Sequence, residues 1–114
     1  MLSLLVSFQL VADLTQTLPK HMSKNKPLFV SYVTRWSLES RPLQDQFDLL
    51  ERQLGHSKIR IAKVLCDVNP EICMEHDVPY FPHIVLYQPG QLPKIYKGQM
   101  TAELMQEWLK TNLK

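Results

Sequence analysis

A chain of 114 residues holds enough apolar material for one self-stabilising core and too little for two, and 45% hydrophobic with 21% charged residues is neither a disordered nor a fibrous composition. A net charge of +2 from 13 basic and 11 acidic side chains, scattered with no basic stripe interleaved with aromatics, gives no electrostatic case for nucleic acid as a partner. No apolar run reaches the roughly 20 residues that span a bilayer, so insertion of this segment into a membrane is not expected.

Residues 1–11 are apolar enough for the core of a signal peptide but lack a basic leading region and a small-residue cleavage site. Leu4, Leu5 and Val6 therefore read as a first strand. Ser7 is a candidate N-cap for a helix over 8–18, in which Phe8, Val11, Ala12, Thr15 and Leu18 recur at helical spacing until Pro19 stops it. After a polar connection, Leu28–Val33 (LFVSYV) is a short β-branched and aromatic run suited to a strand buried on both faces. A helix over 37–54 follows, with Leu43, Phe47, Leu50 and Leu54 on one face and Gly55 as its stop; Pro42 requires the helix to start nearby or to kink.

Residues 59–65 (IRIAKVL) alternate with period two and predict the next strand, and Asn69 with Pro70 opens a short helix ending near His76. His83–Tyr87 and residues 94–97 predict two strands joined by a turn at Gln88, Pro89 and Gly90. Thr101 caps a last helix whose apolar face carries Leu104, Met105, Trp108 and Leu109. The order βαβαβαββα is α/β with a mixed sheet, parallel neighbours first and an antiparallel hairpin last. With no repeat, low-complexity segment or linker, residues 1–114 read as a single domain.

The series LFVSYVTRW, IRIAKVLCDVNPEIC, VPYFPHIVLY and IYKG followed by TAELMQEWL resembles, in order and spacing, the thioredoxin-like domains of the protein disulfide isomerase family, from Pro27 onward. The resemblance implies a thioredoxin fold, the endoplasmic reticulum lumen as location, and work on client polypeptides. In active members the tryptophan is followed by Cys-Gly-His-Cys at a helix N-terminus, where the thiol pKa is lowered. Here Trp36 is followed by Ser37, Leu38, Glu39 and Ser40, and the buried Glu that members carry five residues before the tryptophan is Ser31. A hydroxyl cannot cycle between thiol and disulfide, so the expectation is a redox-inactive module that is not an enzyme and needs no cofactor. Arg41 matches the family's basic residue after the second catalytic position, and Pro82 its cis-proline.

On this reading Trp36, Leu38, Arg41, Tyr80, Phe81, Pro82 and His83 form the groove that receives an extended client segment, the alternative being a spacer domain whose former active-site groove binds nothing. The end at Lys114 without a retention tetrapeptide fits a domain excised from a larger multidomain protein, with neighbouring thioredoxin-like domains as further partners. Cys66 and Cys73 are expected to form a structural disulfide such as the family sometimes carries here, the alternatives being two free thiols or a metal or redox role with His76 as a third ligand; the spacing does not match the tight cysteine pairs of zinc sites, and no metal is expected. Ser37 or Ser40 as a hydrolytic nucleophile lacks a recognisable base, Glu39 and His83 reading as a solvated carboxylate and a half-exposed imidazole, the latter a candidate to tune binding with pH.

Overall fold

The computed structural model describes residues 12–15, 26–37, 40–54 and 59–113. Eight elements follow in chain order: β1 (Ala12–Asp13), β2 (Leu28–Val33), α1 (Ser40–Leu54), β3 (Arg60–Leu65), α2 (Pro70–Glu75), β4 (His83–Tyr87), β5 (Lys94–Tyr96) and α3 (Ala102–Asn112). They build the thioredoxin fold, a mixed sheet of strand order β1-β3-β2-β4-β5 with helices against its faces. β3 runs parallel to β1 and β2, while β4 is antiparallel to both β2 and β5.

All six residues of β2 are buried, because the strand is central and covered on both faces. Its odd positions Phe29 and Val33 enter one core with Leu43, Phe47 and Leu50 of α1 and Met105 and Leu109 of α3. Its even positions Leu28, Val30 and Tyr32 enter the other with Val64, Ile72 and Val85. Phe29 anchors the first core through its rings, stacked on Phe47 at 5.5 Å and edge-on to Tyr96 at 6.4 Å. Ser31, at the position of the family's buried acid, lies between Lys63 and Ile84 in the ladder and is buried.

The predicted first helix does not form where the chain is described. Ala12 and Asp13 pair with Ala62 and Lys63 of β3, and the Thr15 N–H donates to Asp13 Oδ1 at 3.0 Å, a local turn that offers the backbone an alternative to helix. The expected strand at residues 4–6, the Ser7 cap and residues 16–25 lie outside the described residues, as does Gly55. Helix α1 begins at Ser40 rather than residue 37, which puts Pro42 in the first turn, where a missing N–H forfeits no helical bond. Asn69 precedes α2 as expected but makes no cap; its Nδ2 donates instead to the Thr15 carbonyl at 3.2 Å. Thr101 does cap α3, its hydroxyl accepting from the Leu104 N–H at 3.3 Å.

The Tyr96 hydroxyl donates to the Gln99 carbonyl, and its ring meets Trp108 edge-on at 5.3 Å. A Cβ placed on Gly98 would lie 2.7 Å from that hydroxyl. No helix among the described residues is long and apolar enough to cross a membrane.

Candidate functional site

The antiparallel pairing of β2 with β4 decides where the site lies. Tyr32 pairs with His83, so the turn leaving β2 and the loop entering β4 stand side by side at one end of the sheet. The first carries Thr34, Arg35, Trp36 and Ser37, and the second Tyr80, Phe81 and Pro82. Two large rings there face solvent, Trp36 at 73% and Tyr80 at 54% exposure, with Phe81 less so. Pro82 is buried, and the Phe81–Pro82 bond is cis. Arg41 is exposed in the first turn of α1 and lines a cavity of about 420 Å³ with Arg35, Gln44, Asp45 and Asp48, walled by Val33 and Leu65. Burial, joined by the like charge of Asp45, raises the Asp48 carboxyl above its ordinary range, against the opposing pull of Lys63 and Arg52. Leu38 and Glu39 lie outside the described residues, and of Ser40 only the backbone position at the start of α1 is described.

His83 departs from the expected half-exposed imidazole. It is 4% exposed, edge-on to Tyr80 at 5.1 Å and tilted against Tyr32 at 6.3 Å, because it opens β4 opposite Tyr32 rather than ending the loop. Its Nδ1 is buried without a hydrogen-bond partner, and burial holds its pKa below the ordinary histidine value. Of the two serines named as candidate nucleophiles, Ser37 is half-buried in the turn after β2, and the side chain of Ser40 lies outside what the structure describes.

Two features escaped the reading of the sequence. Arg35 and Asp67 stand two residues beyond the paired ends Val33 and Leu65 of parallel strands, so their side chains meet. The Arg35 N–H donates to Asp67 Oδ1 at 3.2 Å and the guanidinium Nε to Oδ2. Burial raises the Asp67 carboxyl, but the bonds and charge of Arg35 outweigh it and leave the pKa below the usual carboxylate range. That register is set by the assembled sheet, so neither strand's sequence signals the pair. The second is the pair of hydroxyls of Tyr32 and Tyr87, 2.7 Å apart, with burial pushing both phenols up.

Cys66, in the turn after β3, and Cys73, in α2, are joined by a disulfide with Cα atoms 5.8 Å apart and both residues 4% exposed. Of the three readings of this pair the structure shows the disulfide, and the sulfurs are bonded to each other rather than offered with His76 to a metal.

Residues 10–111 match the family described as Thioredoxin. The chain is 30% identical over 95 residues to Protein disulfide isomerase-like 2-1 of Oryza sativa subsp. japonica, covering 82% of this chain and 26% of that protein. It is 29% identical over 103 residues to Protein disulfide isomerase-like 2-2 of the same species, covering 89% and 28%. It thus spans about a quarter of the length of these curated relatives. In three dimensions it is similar to the Trx4 domain of ERdj5, with a TM-score of 0.83, 22% identity, and coverage of 93% of this chain and 97% of that one.

These findings correct two expectations. The chain is not a domain without redox cysteines, and its classification as no enzyme does not stand: Cys66 and Cys73 form a disulfide within a domain of this kind, so a dithiol–disulfide couple is present. The expectation rested on positions 37 and 40, which are serine, whereas the pair lies seven residues apart elsewhere and is brought together by a turn and a short helix. Matched over nearly its whole length and built on the same sheet, the chain belongs to the thioredoxin family.

Proposed function

We propose that this domain binds unfolded segments of client polypeptides at the end of β2 and β4, as one module of a longer protein of the disulfide isomerase type in the endoplasmic reticulum lumen. The observation that carries the reading is the exposure of Trp36 and Tyr80 on adjacent turns, with Phe81 and buried Pro82 between them and β4. Exposed rings clustered on adjacent turns are what an apolar segment docks against, and they would cover the core if packing were their role. Arg41, exposed in the first turn of α1, supplies a cation for acidic or carbonyl groups on the client. The similarity to protein disulfide isomerase-like proteins and the presence of a disulfide, which persists in oxidising compartments, support the location.

The test is a heteronuclear NMR titration of the labelled chain with an unfolded polypeptide. Saturable shifts confined to residues 36–41 and 80–83, lost in Phe81→Ala, are the expected result. No shifts at millimolar ligand would leave the domain a spacer. An insulin-reduction assay on the same protein and on Cys66→Ser reads out whether the cysteine couple exchanges with a substrate disulfide.

A further inference from the structure

The Cys66–Cys73 bond stands between the supports of the two turns that carry the exposed rings. On one side the Cys66 N–H donates to the Val33 carbonyl at 2.8 Å, and the next residue, Asp67, binds both the backbone and the guanidinium of Arg35, the neighbour of Trp36. On the other side the Cys73 carbonyl accepts from the Val78 N–H at 3.0 Å, and the Ile72 and Met74 carbonyls accept from His76 and Asp77. Those bonds, with Asp77 at a φ of 55°, turn the chain out of α2 into the loop that bears Tyr80, Phe81 and Pro82.

Helix α2 itself is six residues long and its N-cap side chain is spent on Thr15, so it is too short to persist on its own hydrogen bonds. What fixes it is burial of Ile72 and Cys73 and the covalent bond to Cys66. Each end of that bond is one or two hydrogen bonds from a different one of the two turns that carry the exposed rings.

We propose that the Cys66–Cys73 disulfide is a redox-governed latch: oxidised, it keeps the Trp36 wall and the Tyr80–Phe81 wall in register for a client; reduced, it lets α2 and both turns loosen, and client affinity falls. The proposal rests on the groove being the client site. Asp67 is then a positioning residue for Trp36. The reductant is a dithiol. One of its thiolates attacks a cysteine sulfur, the Cys66–Cys73 bond breaks as a mixed disulfide forms, and its second thiol displaces the protein. Two electrons pass to the domain, Cys66 and Cys73 end as thiols, and the reductant leaves as its own disulfide. Both cysteines are 4% exposed, so the attack waits on local opening of the 66–73 segment.

The experiment compares NMR spectra and binding of an unfolded polypeptide for the full chain oxidised, reduced with dithiothreitol, and as Cys66→Ala/Cys73→Ala, which reports on the open latch without reductant. The expected result is that signals of Trp36 and of residues 80–83 move together while Phe47, Met105 and Leu109 stay in place, and that affinity falls at least tenfold in both altered forms. Asp67→Ala should move Trp36 and leave 80–83 unmoved. Changes confined to 65–76, unchanged affinity, or loss of the Phe47, Met105 and Leu109 signals would each overturn the latch, the last by making the bond a crosslink for the whole domain. No binding to the oxidised form, with both walls still moving, upholds the latch and defeats the client reading instead.

Discussion

Replacing both Cys66 and Cys73 by alanine removes a bond that closes a loop between residues seven apart. In the chain-entropy picture, a loop of this size restrains the unfolded chain by about 8 cal/mol/K, or ~2.5 kcal/mol at 25 °C. Alanine leaves no polar atom in the apolar cluster that the two cysteines share with Ile72, Val64 and Tyr32, so the entropy term is the main one expected. A domain of 114 residues unfolds with an entropy of about 0.24 kcal/mol/K, which converts the loss into a fall of ~10 °C in melting temperature. Scanning calorimetry on the oxidised protein and the variant measures this directly, with urea melts to check that the slope is unchanged. A fall below about 3 °C would refute the reasoning, since the unfolded chain would then gain no freedom from the cut.

Stability should fall on acidification through His83. Its folded pKa lies below the unfolded value because the ring is buried, so above about pH 6.5 the group contributes no pH dependence. Below that the unfolded state binds the extra proton, and stability drops by at most ~1.4 kcal/mol per pH unit until the folded pKa is reached. Urea midpoints at pH 7.5 and 5.5 for the protein and His83→Leu should show a steeper loss in the former; parallel losses would exclude His83 as the source. Phe47→Ala empties the ring stacked on Phe29 at the centre of the first core and should cost about 3–5 kcal/mol by urea denaturation. Thr101→Ala should cost ~1 kcal/mol in the same assay through the lost cap on Leu104. Trp36→Ala, at an exposed position, should change stability by no more than about 0.5 kcal/mol yet abolish the client titration; an equal loss in both would make Trp36 a core residue.

The elements legible in the sequence were those whose apolar pattern answers to one environment. β2 and β4 have their expected bounds because each is a continuous apolar run, and α1 and α3 show their buried stripes at helical spacing, Leu43, Phe47 and Leu50 in one and Met105 and Leu109 in the other. β1 was illegible because a two-residue strand carries no periodicity, and its place is set by Ala62 and Lys63 across the sheet. Asn69 has the residue type of a cap, but a carbonyl brought close by tertiary packing competed for its amide. At the candidate site the aromatic positions were named from the resemblance, whereas the burial of His83 and the Arg35–Asp67 pair depend on strand register, which one strand alone does not specify. The Cys66–Cys73 bond was legible and forms as expected, whereas the inference of redox inactivity failed because it weighed only the positions that follow Trp36.

The contact between Tyr96 and Gly98 ties two positions into a single unit of variation. Any side chain at 98 meets the ring carbon Cζ at 2.9 Å as well as the hydroxyl, so exchanging Tyr96 for phenylalanine would not make room for it. Only a shorter residue at 96 would, and that residue would give up the edge-on contacts to Phe29 of β2 and Trp108 of α3 that tie β5 to the first core. Across homologous chains, then, a glycine here should accompany an aromatic two residues earlier, and the two should be lost together.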